Sequence, residues 1–526
     1  MPTEIMAAPD VTRTAPPAPG ARHDRALTRR ASLNVVQGLV DYSARLALVF
    51  LVTPILVRGL GPVLFGVWEM LQRLAGYLSG ADGRPTAALR LVVASDQTND
   101  DVHAKRRLVG GALVVWLLFL PLVAAGGAML VWLAPMLADA GPGAIPAVRI
   151  TCGLLVASFV VMTLAQVPEA VLRGENLGYR RMGLQAALHA LGGVLMVAAL
   201  AWGAGLVGLG AAQLVLWTVT GLCFWLITRR AVPCFGAARP RRGDVRLLLG
   251  TSAWLVAGDL IAKLLLASDV VIIGAIVGPA IVTPYVVTGY AARTALGVLV
   301  FAVDGTMPGL GGLLGAGERN RAAALRRELL SLTWMLVVAL GGTILLWNPA
   351  FVRLWIDADS YAGFWVNLLL VVIALQTAFI RCDAYLIDAG LRPRARVQVG
   401  AAAAAVTIAA ALALTPALGV AGACLGVVLG RAVQSVAFPM IVSRLLGRQA
   451  PSIRALIRPA ALGAVLLAAT AVGGRALHPA GWVAWGGGIA ITAPLLALLA
   501  YRLGLERHDR AAVIARLRAI VRGLRG

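Results

Sequence analysis

Apolar stretches of about 17–25 residues, long enough to cross a bilayer as a helix, recur fourteen times along this 526-residue chain. They lie near 33–57, 63–80, 108–134, 148–171, 182–202, 206–228, 247–277, 284–310, 329–347, 362–381, 397–416, 419–442, 459–473 and 482–502. The thirteenth is short and flanked by Arg458 and Arg475. A chain built this way must place its helices in lipid, where every backbone N–H and C=O is satisfied within the segment. Composition agrees. Charged residues make up 13% of the chain and apolar ones 60%, against about 25% charged in soluble proteins. A soluble multidomain enzyme is excluded.

The basic excess, 47 Lys and Arg against 24 Asp and Glu, would suggest nucleic acid in a soluble chain. Its placement says otherwise. With the amino terminus inside, the cytoplasmic connections hold 35 basic residues and the outer ones four: Arg58, Arg149, Arg353 and Arg475. The other eight lie in or beside spans. This is the positive-inside pattern. It predicts an even number of spans, both termini in the cytoplasm and no nucleic-acid partner.

The first 32 residues are Pro- and Ala-rich with scattered Arg, which reads as a disordered cytosolic tail and not a cleavable signal peptide. An internal repeat then emerges. Asp41-x3-Arg45, Gly61-Pro62, Arg73 and Asp82-Gly83 recur in the same order as Asp259-x3-Lys263, Gly278-Pro279, Arg293 and Asp304-Gly305, about 218 residues on. The predicted fold is all-α and polytopic. Two parallel-related six-helix bundles, 33–228 and 247–446, are joined by a basic cytosolic linker, 229–246, and followed by two additional helices in 447–502. In 503–526, apolar residues at helical spacing alternate with Arg, as in a basic amphipathic helix on the anionic inner leaflet.

Several chemistries drop out. The five cysteines show no paired spacing, so neither a disulfide framework nor a metal site is implied. There is no phosphate-cradling Gly-rich loop ending in Lys-Ser/Thr. The outer loops are too short to build the catalytic site of a membrane-embedded glycosyltransferase. We expect no cofactor and no catalysis.

Charge inside a membrane costs about 2.5–3.5 kcal/mol per residue on insertion scales, so it is kept where it pairs, meets water or does chemistry. Asp41/Arg45, Glu69/Arg73 and Asp259/Lys263 are each spaced i,i+4, on one helical face. Such pairs can simply fix helix packing. They concentrate, however, in the equivalent spans 1, 2, 7 and 8, which favours a water-filled cavity. Arg45, Arg73, Lys263 and Arg293 would suit an anionic ligand there. Asp41, Glu69, Asp259 and Asp269 would balance that field or carry a coupling proton or sodium ion. Prolines within spans, including Pro54, Pro121 and Pro284, fit helices that bend.

Several short motifs follow one another along the chain: Leu33-Asn34, Thr53-Pro54-Ile55-Leu56-Val57-Arg58-Gly59-Leu60-Gly61 and Phe65-Gly66-Val67-Trp68. They continue through Asp82-Gly83 with Arg90, Leu172-Arg173-Gly174 with Asn176, Ser268-Asp269 through Ile272-Ile273-Gly274, Tyr285, and Leu354-Trp355-Ile356. In these motifs the chain resembles the polysaccharide-transport proteins, lipid-linked oligosaccharide flippases of the multidrug/oligosaccharidyl-lipid/polysaccharide exporter superfamily. One departure is Arg84-Pro85, where the family runs Gly- and Ser-rich. The resemblance implies two bundles around an alternating-access cavity in a bacterial inner membrane. Its implied cargo is a polyprenyl-pyrophosphate-linked glycan, with glycosyltransferases and a polymerase of the same pathway as further partners. Two other readings stand beside it: a cation-coupled drug antiporter of the same superfamily, and a non-transporting subunit of a polysaccharide-synthesis complex.

Overall fold

A computed structural model describes residues 19–95, 101–175, 177, 183–233, 235–304, 310, 313–390, 393–447, 453–506, 509–511 and 513–514, with side chains from residue 41 onward except at 254, 266–267, 298–304, 389, 393 and 453–458. Residues 1–18, Asn176, Cys234, Gly305, the side chain of Asp304 and most of the carboxy-terminal amphipathic segment lie outside the described residues. In chain order the helices are α1 (Pro19–Tyr77), α2 (Pro85–Ser95), α3 (Val102–Leu137), α4 (Ile145–Gly174), α5 (Leu184–Ala201), α6 (Gly205–Ala231), α7 (Arg242–Ile276), α8 (Pro279–Asp304), α9 (Arg319–Trp355), α10 (Phe364–Ala389), α11 (Pro393–Leu446), α12 (Ile453–Gly473) and α13 (Trp482–Leu499). No strand occurs among the described residues. The protein is an all-α, multi-pass membrane protein. Ten of its described helices are long and apolar enough to cross a bilayer, fewer than the fourteen stretches counted in the sequence.

Part of that difference is explained by kinks. α1 runs through Gly61, held at φ +75°, and α11 through Gly419, at φ +57°, so each long helix is two rods joined at a glycine. Side chains with a Cβ rarely adopt such angles. The second rod of α1 ends at residue 80, where the second apolar stretch of the sequence also ends. It tightens into a 3-10 turn at Leu78–Gly80, breaks at 81–84, and resumes as α2. The break carries Asp82, Gly83 and Arg84 and is anchored from α7, as described below.

Loop charges mark the two ends of the bundle. At one end, here the basic end, Lys105 Nζ donates to Glu175 at 2.8 Å, Arg107 pairs with Asp244 at 3.6 Å, and Arg326 grips Asp383 through two hydrogen bonds of 2.6 and 2.9 Å. The buried residues of this end form two separate cores. One combines α2, α3, the end of α4 and Leu248 of α7; the other joins the start of α9 to α10 and α11. Val513 reaches a third small cluster on α9, and Asp509 pairs with Arg327 at 2.7 Å, tying the chain end to this face.

The far end is built on another plan. One core there draws Leu56, Leu60, Phe65 and Trp68 of α1 together with Val287 of α8 and Val352, Trp355 and Ile356 of α9. Pro54 explains part of the join. It has no N–H, so the Phe50 carbonyl one turn earlier loses its helical donor. Trp355 Nε1 donates to that oxygen at 2.7 Å, and its ring stacks on Phe50 with centroids 5.6 Å apart and planes 9° from parallel. Arg58 donates to the Ile356 carbonyl at 3.2 Å, and Thr283 Oγ1 to the Pro62 carbonyl at 2.6 Å. At Gly66 the backbone of α1 lies against Pro279 of α8 so closely that a Cβ would fall 1.9 Å from the carbonyl oxygen.

Candidate functional site: a cationic cavity beside α1

The first rod of α1, its second rod, α5, α6 and α8 enclose a cavity of about 1050 Å³. Its roof, toward the far end, is apolar: Leu56, Phe65, Trp68 and Met196. Its lower wall is charged, with Asp41, Arg45, Glu69, Arg73, Arg173 and Arg293 all in the lining. A second chamber of about 570 Å³ lies between the break after α1, α2, α4 and α6. Gln72, Arg173, Gln185, Gln213 and Trp217 line both, so the two are continuous.

The sequence left eight cations outside its orientation signals. Six of them, Arg45, Arg73, Arg84, Arg90, Lys263 and Arg293, line these two chambers. With Arg173 the walls carry seven cationic side chains against four carboxylates, Asp41, Glu69, Asp82 and Glu169. The remaining two, Arg381 and Arg431, are in the second half of the chain, where Arg431 is buried and donates to Thr377.

Of the three i,i+4 pairs, Glu69/Arg73 forms, at 3.6 Å. Asp41 and Arg45 both face the main cavity from the first rod of α1. Asp259 departs from the spacing argument. Its carboxylate reaches across to the broken segment, accepting from Ser79 Oγ at 2.5 Å and pairing with Arg84 at 3.0 Å. Lys263 instead extends to α1, its Nζ beside Gly76, and lines the smaller chamber. An i,i+4 argument considers one helix only, and here the partner on another helix wins because the break at 81–84 delivers a guanidinium to α7.

Arg293 folds back along α8, with its guanidinium 5.8 Å from the Tyr290 ring centroid and 6.0 Å from that of Tyr285. Those faces offset the cost of holding a cation in the wall. Asp269 does not line either chamber. One oxygen accepts from the Val270 N–H at 2.8 Å and the other from the Tyr285 hydroxyl, inside a core of Val270, Ile273, Val286 and Cys424.

A third cavity, about 580 Å³, sits on the opposite side of α1 and α8. Phe50, Leu340, Ile344, Trp347, Phe351 and Trp485 make it almost wholly apolar. Val49 and Tyr290 face both this groove and the cationic cavity, so one layer of side chains separates them. The residues that sequence reasoning missed are mostly uncharged or loop-adjacent: Gln72, Gln166, Gln185, His189, Gln213, Trp217 and Arg173. A polar amide every few turns in Ala- and Leu-rich helices is a weak signal, although Gln213 and Trp217 do share a helical face at i,i+4. Among the described residues no group of three or more His, Cys, Asp and Glu side chains could hold a metal ion.

The fold is shared with known transporters. An inward-facing multidrug-resistance MATE transporter of the MOP superfamily superposes with a TM-score of 0.61 at 17% identity, covering 77% of this chain and 98% of that one. The lipid II flippase MurJ, in an inward closed conformation, gives a TM-score of 0.64 at 10% identity over 89% of this chain and 98% of that one. The eukaryotic MATE transporter AtDTX14 gives 0.55 at 14% identity, over 80% and 98%. No curated protein matches the sequence. The sequence profile of one family, described as polysaccharide biosynthesis protein, matches residues 38–309, more than half of the chain. The chain therefore belongs to the polysaccharide biosynthesis protein family, on the membrane fold of the MATE transporters and the MurJ flippase.

Proposed function

We propose that this protein is an alternating-access flippase. It would carry a polyprenyl-pyrophosphate-linked glycan from the inner to the outer leaflet of a bacterial inner membrane, for cell-surface or exopolysaccharide synthesis. The observation that carries the reading is the convergence of six otherwise unexplained cations on one cavity system. Guanidinium groups bind phosphate oxygens through paired, charge-assisted hydrogen bonds and keep their charge when partly desolvated. Arg45, Arg73, Arg293 and Lys263 are the groups we assign to the diphosphate. Asp41, Glu69 and Asp259 moderate the field, and Asp41, in the lining of the main cavity, is the group we assign to a coupling ion. The apolar groove across α1 suits the isoprenoid tail, since it offers hydrocarbon beside the headgroup site. A cavity with this cationic surplus disfavours an organic-cation antiporter.

In this reading the basic end faces the cytoplasm, with both termini, the linker 229–246 and the tail 503–526 against anionic inner-leaflet lipids. The bundles 33–228 and 247–446 move against each other, with 447–502 appended. Glycosyltransferases and a polymerase of the same pathway supply and consume the cargo. The profile match and the lipid II flippase fold support this reading. The test is single alanine replacement of Arg45, Arg73, Lys263 and Arg293 in cells. Each variant should reach the membrane and lose surface polysaccharide. Normal export by all four would overturn the assignment.

A further inference from the structure

The three cavities differ in chemistry, and their order along the molecule is informative. The groove on the far side of α1 is apolar, the main cavity is cationic beneath an apolar roof, and the smaller chamber is polar on most sides. The main cavity touches the groove through Val49 and Tyr290 and touches the smaller chamber through Gln72, Gln213 and Trp217. The sequence apolar, cationic, polar is also the sequence of a lipid tail, a diphosphate and a sugar.

Two of the four cations lining the smaller chamber are paired, Arg84 with Asp259 at 3.0 Å and Arg173 with Glu169 at 2.8 Å. Of the others, Arg90 lines the chamber together with Asp82, and Lys263, assigned above to the diphosphate, sits beside Gly76, one helical turn from Arg73. Paired ions such as the first two present fixed donors and acceptors more than net field, which suits neutral, hydroxyl-rich ligands. The amides of Gln166 and Gln213 can each donate and accept, as a sugar hydroxyl does. Trp217, at the boundary, presents an indole ring to both chambers, an apolar body with a polar edge. At about 570 Å³ the space falls within the range of small-molecule sites.

We infer that the chamber between α2, α4 and α6 is a glycan subsite, which holds the sugars nearest the diphosphate and selects among glycans. This rests on the flippase reading above. Arg73 holds the part common to every such lipid, whereas Gln166 and Thr86, which line the smaller chamber alone, hold the part that varies.

The full chain in lipid nanodiscs is titrated with two probes: bare polyprenyl diphosphate, and the pool of polyprenyl-diphosphate glycan extracted from the producing cells. Gln166→Leu and, separately, Thr86→Val should weaken the glycan-bearing lipid roughly tenfold, the scale of one lost polar contact. Both should leave the bare diphosphate lipid within about twofold. Arg73→Ala should weaken both probes together. Equal weakening of the two probes by Gln166→Leu and Thr86→Val, or no weakening of either, overturns the subsite. Wild-type protein that binds neither probe overturns the flippase reading itself, a separate and recognisable result.

Discussion

The two ends of the bundle are held together differently. At the far end one buried core takes residues from α1, α8 and α9, a second brings Met70 of α1 against α7, α8, α10 and α11, and a tryptophan of α9 fills the hydrogen-bond vacancy that Pro54 makes in α1. At the basic end the buried residues fall into two cores, one around α2, α3 and α4 and one around α9, α10 and α11, with the start of α7 in the first. Ion pairs there stay largely within one side: Lys105 with Glu175, Arg326 with Asp383. A molecule joined at one end and divided at the other is a clamp, and the charged part of its cavity lies toward the divided end. The polar contacts joining α1 to α8 and α9 at the far end include one indole, one guanidinium and one hydroxyl hydrogen bond to backbone carbonyls, beside a stack of rings.

That contrast can be broken by substitution. Trp355→Ala removes the shared ring and its hydrogen bond together. It should cost about 3–5 kcal/mol of stability, the range for aromatic-to-alanine changes in cores. It should also let a membrane-impermeant thiol reagent reach a cysteine placed at Thr53 from the far side, as measured by mass shift. Asp383→Ala leaves the Arg326 guanidinium without its two hydrogen bonds in a nearly buried position. Its expected cost is about 3 kcal/mol, measured as lower thermal stability in detergent, with no change in far-side labelling. A change in labelling would show that the ends are not independent.

Gly66→Ala sets a Cβ against the Pro279 carbonyl. It should destabilise by about 1–3 kcal/mol and separate α1 from α8 at the far end. Gly250→Ala, in open space on α7, serves as its partner measurement. There the substitution should be neutral or stabilise by about 0.4–1 kcal/mol. Trp355→Phe keeps the stack on Phe50 and loses only the donor to its carbonyl. Its effect should be the smallest loss, about 1 kcal/mol, with intermediate labelling of the Thr53 position. Equal losses from Trp355→Phe and Trp355→Ala would place the whole effect in the hydrogen bond.

Much of this arrangement was legible in the sequence because the bilayer is a demanding solvent. Backbone satisfaction forces long apolar helices, and orientation sorts the basic residues to one face, so the cations that obey neither rule stand out. Six of those eight line the chambers. Arg173 was missed for the same physical reason: beside a basic loop it looks like an orientation signal, yet its side chain turns into the cavity. The second apolar stretch ends at residue 80 in the sequence, and the break at 81–84 that follows carries turn chemistry in Asp82-Gly83-Arg84-Pro85. That it reconnects to α2 depends on Asp259, a contact 175 residues away from Arg84 that no local pattern encodes. Asp269 shows the converse limit. An intramembrane carboxylate looks functional in sequence, whereas here it accepts from the Tyr285 hydroxyl and the Val270 N–H.

The most direct test of the clamp is a pair of distances measured in nanodiscs with spin labels. One pair joins the far end, Arg149→Cys with Asp359→Cys; the other joins the basic end, His103→Cys with Arg321→Cys. All four positions are exposed, and native cysteines would be replaced. At rest the far-end distribution should be narrow and the basic-end one wider. Under conditions of turnover with polyprenyl-diphosphate glycan, a population should appear with the basic end closed and the far end apart. A far-end distance that stays fixed while the lipid crosses the membrane would contradict alternating access in this protein.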